Sequence, residues 1–413
     1  MHLTADERGM LARDDALGTA ARIVVETGRA FGADRLVAID SAHIDGCLYH
    51  GDAGVLFAEH LADHGGRVAV PATLNVGALD LIHPELVSLA PARRAMALRM
   101  AAAYERLGCR TTWTCAPYQV GHRPSLGRHV AWGESNAVVF ANSVLGARTL
   151  RYGDFLDIAA AIVGRVPHVG LHTDEGRRAG IRFDIANIKP ALQGHEAFFA
   201  TLGALVGGMV GSAVPVVSGL GIAVSEDRLK AFGAAAASTG SVGLFHMVGV
   251  TPEAPDLDTA TGGETVPTVH VSAAMLRNAR DSLSSATGGA VDAVALGSPH
   301  FSLEEFATLE RLLGGRKTAL PLYACTSRQH FDALKSSGSA QQLEAQGVTF
   351  VIDTCVIVTE ILPRAGGVLM TNSAKFAHYA LGNIGYRTLF SSLADCVETA
   401  IAGRLIRDET VWQ

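Results

Sequence analysis

The sequence predicts an α/β fold whose sheets are mostly parallel. Three observations point there. The chain is long and apolar enough to bury a large core, with 413 residues of which 48% are hydrophobic and 18% charged. Short apolar runs end in glycine-punctuated loops and lead into helical patterns, which is how βαβ units read. In the last third, four apolar strands alternate with helices, the pattern of a doubly wound domain.

Each element follows in order. Thr4 and Glu7 make a capping-box pattern that starts a helix running to about Arg13, and an alanine-rich helix follows from Ala16 to about Phe31. LVAIDSAHI reads as a strand that ends in DGCLYHGDAGV. A helix from about Leu56 to His64 stops at Gly65–Gly66, and RVAVPATLNV is the next strand. The helix Ala92 to Leu107 precedes a short strand, Arg110 to Ala116. A second unit begins near Leu150. It holds the segment between Glu196 and Glu226, which carries no charged side chain. Six glycines and a proline interrupt that segment, so it reads as a buried helix, a turn and the core strand PVVSGLGIAV, not as a membrane span. TPEAPDLDTATGGETVP is the best linker. Beyond it come TVHVS, a helix to about Thr287, VDAVALG, a helix after Ser302, KTALPLYAC, a helix after Ser327, and VTFVIDTCVIV. The expected units are therefore 1–150, 151–265 and 266–413.

Composition narrows function. The net charge of −6 comes from 34 basic and 40 acidic residues with no Lys/Arg block, which argues against nucleic acid as a partner. The N-terminus MHLTADERGML has acidic residues where a secretory signal needs a basic start and an apolar run, so the expected location is the cytoplasm, with no membrane association. Six cysteines in a chain this long do not make a disulfide scaffold.

The unusual residues fall at the carboxyl ends of the expected strands, where open α/β sheets place ligands. HGDAG (His50 to Gly54) offers backbone N–H groups to an anion, or is a plain turn. PATLN (Pro71 to Asn75) offers Thr and Asn to a carboxylate, or is a helix cap. TWTCAPY, YACTSR and DTCVIV place Cys115, Cys325 and Cys355 at three strand ends. They are either inert buried thiols or ligands that converge in space. Without a Cys-x-x-Cys pair, zinc ribbons and ferredoxin-type sites are excluded; scattered thiolates that leave one position open for substrate fit better. AWGESNAVVFANSV places Glu134, Ser135, Asn136, Asn142 and Ser143 among apolar residues, more hydrogen-bonding capacity than a core segment needs. GSPHFS supplies Ser298 and His300, and TNSAKFAHY supplies Asn372, Ser373 and Lys375 at a helix start suited to a carboxylate. Ser298, His300 and Lys375 are thus the candidate catalytic side chains. No Gly-x-Ser-x-Gly elbow is present, and STGSVGLFHMVGVTPEA lacks the Lys-Ser/Thr ending of a P-loop.

In this order, SAHIDGCLYHGDAGV, VPATLNVGALD, TCAPY, AWGESNAVVFANSVLGARTLRYGDFLDI, GRVPHVGLH, LKAFGAAAASTGSVGLFHMVGVTPEA, GSPHFS, DTCVIV and TNSAKFAHY resemble the catalytic large subunit of the aconitase X family over about residues 40 to 385. The resemblance implies aconitase-like α/β/α catalytic domains and an iron–sulfur hydro-lyase. Known members dehydrate cis-3-hydroxy-L-proline or phosphomevalonate. It also implies cluster ligands at Cys115 and Cys355. The archaeal-type members have Cys where this chain has Ser298, which favours the hydroxyproline branch, with Cys325 as the first replacement ligand and Cys47 as the second. A [2Fe-2S] cluster is expected ahead of [3Fe-4S] or [4Fe-4S]. Cys109 and Cys396 read as structural. By the same comparison Gly51, Asp52, Ala53, Asn75, Val76, Ser135, Asn136, Thr371 and Asn372 lie where substrate is held. The family's small swivelling domain is not in this chain, so a separate small subunit is the expected partner, and it would carry the general base. The substrate is expected to be a small 3-hydroxy acid, cis-3-hydroxy-L-proline first and phosphomevalonate second; a scaffold subunit without chemistry is the reading from another class.

Overall fold

A computed structural model describes residues 1–363 and 366–413. The chain divides into two compact units. One comprises Met1–Leu79, Leu89–Arg178 and Thr251–Glu253; the other comprises Asp80–Ser88, Ala179–Val250 and Ala254–Gln413.

The first unit holds β1 (Leu36–Ala38), β2 (Ala42–Ile44), β3 (Ala72–Leu74), β4 (Ala131–Trp132) and β5 (Arg165–Pro167). LVAIDSAHI is two strands, not one, because the chain changes sheets midway. Leu36–Ala38 pairs antiparallel with β5, while Ala42–Ile44 lies between β3 and β4, parallel to both. The expected strand from Arg110 shrinks to a single bridge with Thr73. The reason is local: the Thr112 hydroxyl takes both backbone groups of Leu74, at 3.1 and 2.8 Å, and Trp113 turns left-handed at φ 45°. The helices Ala16–Ala30 and Leu156–Val163 cover these strands, burying Val24, Ile44, Leu61 and Tyr104. The opening helix forms with its capping box, Thr4 accepting from the Glu7 N–H and Glu7 accepting from the Thr4 N–H.

The second unit holds two parallel sheets. One runs β8 (His246–Met247), β7 (Pro215–Ser218), β6 (Ile181–Asp184), β9 (Thr268–His270). The other runs β12 (Val348–Ile352), β11 (Leu322–Thr326), β10 (Ala293–Leu296), β13 (Val368–Thr371), β14 (Arg387–Phe390). Its core joins Val294, Leu296, Phe306, Leu322, Phe350, Met370 and Val397. The uncharged segment is a buried helix, Ala197–Val210, and then β7. Its glycines let it lie against the helix Glu226–Thr239: a Cβ at Gly203 would overlap the Phe232 carbonyl oxygen. Among the described residues no helix is long and apolar enough to cross a membrane. The expected linker carries a helical turn of its own, Leu257–Thr261, capped by Asp256.

Candidate active site

One parallel sheet in each unit gathers polar side chains at its carboxyl end. In the second unit, β10 ends at Leu296 and hands over to Gly297 and Ser298. Gly297 adopts φ 86°, and a Cβ there would overlap the Cys325 carbonyl oxygen, so only glycine lets the two strand ends approach. Gly297→Ala is expected to cost at least about 2 kcal/mol, read as a lowered Tm with cluster content falling in parallel.

Cys325 lies within β11 opposite Val351 of β12. Cys355 follows β12 after Asp353, a left-handed residue at φ 64°. Arg328 holds Asp353 there with two charge-assisted bonds, Nε at 2.5 Å and a terminal guanidinium nitrogen at 2.7 Å. The Cys355 thiol is drawn below its usual pKa. The Cys325 side chain hydrogen-bonds it and outweighs burial; the Ile357 N–H, the Ser298 hydroxyl and the Lys375 charge add to the effect. A buried thiol held toward thiolate beside a second thiol and a hydroxyl is a donor set that fits an iron–sulfur group.

Ser298, Ser373, Asn372, Lys375, Lys230 and Glu196 line a cleft of about 380 Å³ at this place. Ser373 caps the helix Ala374–Ile384, and its hydroxyl donates to the Ser298 carbonyl. Asn372 donates to Glu196 at 3.0 Å, and its own carbonyl oxygen has no partner among the described residues. Thr371 is buried, and its hydroxyl accepts from the Ser373 N–H at 3.2 Å. His300 is fully buried, and its Nε2 bonds the Thr354 carbonyl at 3.1 Å, next to Cys355. Burial holds its pKa down at about 4, so it stays neutral at pH 7.

In the first unit, β2, β3 and β4 end together and are followed by Asp45, Asn75 and Gly133–Glu134. Cys115 is buried, and its carbonyl accepts from Asn136 Nδ2 at 3.0 Å. Like Cys355 it stands two residues after a left-handed non-glycine residue, here Trp113. Asn136 also bonds the Tyr118 hydroxyl at 3.1 Å, and Ser135 donates to Glu134 at 3.3 Å. Gly51 precedes the helix Asp52–Asp63, whose first turn holds Asp52 and Ala53; Asp52 accepts from Tyr49 at 2.9 Å. Asn75 and Val76 are both buried. Cys47 donates to the Ile44 and Asn75 carbonyls at 3.3 and 3.4 Å, and burial keeps its thiol neutral. Cys109 and Cys396 are buried too, with thiol pKa values raised by the same cause.

The sequence reading missed Asp45, Asp157, Glu196, Lys230 and Glu305. Asp45 had a signal, a carboxylate directly after a fully buried strand. Lys230 had another, a cation next to the alanine-rich stretch of its helix. Neither is distinctive without its neighbours.

Three family models match the chain: the aconitase X first domain over residues 1–175, the second over 179–281 and the third over 291–402. A cis-3-hydroxy-L-proline dehydratase from Pseudomonas aeruginosa is 43% identical, over 99% of this chain and 70% of its own length. A phosphomevalonate dehydratase large subunit from Methanothermobacter thermautotrophicus is 38% identical, over 89% of this chain and 90% of its own. A crystal structure of Thermococcus kodakaraensis aconitase X in its holo-form superposes with a TM-score of 0.85 at 32% identity, covering 97% of this chain and all (100%) of that one.

Proposed function

The chain belongs to the aconitase X family, and from that premise we propose that it is the large subunit of an iron–sulfur hydro-lyase. The reaction is dehydration of cis-3-hydroxy-L-proline to Δ1-pyrroline-2-carboxylate. What carries the reading is the grouping of Cys325, Cys355, Ser298 and Lys375 at adjacent strand ends, with Cys355 biased toward thiolate. The relative from P. aeruginosa that bears this activity in its name supports the choice of substrate.

Cys355 and Cys325 would hold the cluster, with a [2Fe-2S] type as the first expectation. When bound, the cluster supplies a Lewis-acidic iron for the departing hydroxyl. The protein's own groups do the rest. Lys375 and the N-terminus of the helix Ala374–Ile384 present positive charge to a substrate carboxylate, whose electron density rises as the α-proton leaves. Ser298 stands beside the Cys355 sulfur and can relay a proton to a leaving oxygen. His300 is a positioning residue that fixes the Thr354 carbonyl and with it the turn into Cys355. The base that takes the α-proton is assigned to a small partner subunit, a reading supported by the relatives named as large subunits. Six buried cysteine thiols suit the reducing cytoplasm.

The test is turnover of cis-3-hydroxy-L-proline by anaerobically prepared protein with its small partner. Formation of the cyclic imine only when both subunits are present is the expected result. Turnover of phosphomevalonate alone would transfer the assignment to the second substrate.

A further inference from the structure

Asp45, Glu134 and Asp157 form a group of carboxylates at the strand ends of the first unit. Asp157 is fully buried and accepts the N–H groups of Asp45 at 2.7 Å and Gly46 at 3.2 Å. Gly133 is needed for this closeness, since a Cβ there would stand 2.9 Å from both Asp157 Oδ2 and Asp45 Cβ. Glu134 accepts the Ala137 N–H at 2.7 Å. Asp157 and Glu134 thus have structural work, and Asp45 is different. It is half-buried, and its side chain accepts from Asn75 Nδ2.

Asn75 supplies a second, independent observation. Its side chain is only 3% exposed, its Nδ2 is engaged by Asp45, and its Oδ1 has no donor among the described residues. A buried amide oxygen without a donor costs free energy unless something outside the chain satisfies it. Beside it stands a carboxylate, and the charges that act on that carboxylate are Glu134, Asp157 and Asp154, all negative. A ligand suited to this place brings positive charge and N–H donors. A phosphate does the opposite.

We propose that Asp45 and Asn75 Oδ1 form the subsite for the protonated secondary amine of a cyclic amino-acid substrate, whose two N–H groups match the two waiting acceptors. The assignment rests on the hydroxyproline reading above and deepens it, because phosphomevalonate carries no cation.

The experiment uses the assembled holoenzyme and two unreactive probes of the same ring and carboxylate, L-proline and tetrahydrofuran-2-carboxylate, measured by calorimetry at pH 8. Wild type is expected to favour L-proline by about 30-fold or more. Asp45→Asn, which keeps the acceptor for Asn75, is expected to reduce that preference to within about 3-fold with the uncharged probe little changed. Should Asp45→Asn fail to fold, Asn75→Ser, which removes the lone acceptor, is expected to weaken L-proline selectively. No preference in wild type, or a preference that both variants retain, overturns the subsite. A preference that holds in an enzyme unable to turn over cis-3-hydroxy-L-proline would instead overturn the substrate while the cation subsite stands.

Discussion

Cys355→Ser is expected to remove the thiolate-to-iron absorption of the anaerobically prepared protein, to lower its bound iron, and to reduce kcat by about 1,000-fold or more, roughly 4 kcal/mol of barrier. The expectation rests on the surroundings of this sulfur. Cys325, the Ile357 N–H and Ser298 bond it, and Lys375 adds its charge, so its thiol is drawn toward ionisation. A serine hydroxyl in the same place has a far higher pKa and is a poor ligand for a soft metal. The fold should survive, because Ser is nearly isosteric and the turn is held by Arg328 on Asp353, not by the sulfur. Cys396→Ala is the control. Its sulfur sits in the core with Leu389 and Val397, and burial raises its pKa, so absorption and kcat should stay near wild type. Unchanged iron and absorption in Cys355→Ser would remove the second-unit thiols from the site.

Much of this was legible in the chain. The alternation of apolar runs with Gly loops and helices announced the parallel sheets, since a strand buried on both faces needs an unbroken apolar run. What could not be read is where such a run stops hydrogen-bonding. LVAIDSAHI is continuous in hydropathy, yet Ile39 bonds Gly164 and Asp40 bonds His129, so the segment leaves one sheet before it joins another. VTFVIDTCVIV is as apolar, and a left-handed Asp353 ends it. Both breaks come from partners far along the chain. For the site, Cys325, Cys355, Ser298 and Lys375 were found because cysteines and polar residues at strand ends are conspicuous. Asp45 and Lys230 were not, because a carboxylate or an ammonium becomes unusual only when its neighbours are known. The Lys230 charge is ordinary in sequence and fully buried in space.

That burial sets the other large effect expected of a single substitution. Lys230 is 2% exposed and donates to Glu305, to Asp227 at 2.9 Å and to the His300 carbonyl at 3.3 Å. Burial works against its charge, but Glu305 and Asp227 outweigh it and hold its pKa above the ordinary value. Lys230→Met keeps the length of the side chain and removes the cation that both carboxylates pair with. The Glu305 carboxylate is then left with the Ser302 N–H of its capping box at 2.8 Å, and Asp227 with the Ser302 hydroxyl at 2.7 Å. Breaking a buried pair from one side in this way costs about 3–5 kcal/mol, so Tm should fall on the order of 10 °C. The deficit should be larger at pH 9 than at pH 6: burial pushes the Glu305 carboxyl up to about 7 even beside Lys230, and without that cation it stays protonated at the lower pH and strands less charge. Adding Glu305→Gln should restore part of the loss, because it removes one of the two stranded charges. A Tm within about 2 °C of wild type for Lys230→Met, or a double variant less stable than the single, would show that the carboxylates do not depend on this cation. Lys230 also lines the cleft with Ser298 and Lys375, so the refolded fraction of the single variant should lose activity along with stability.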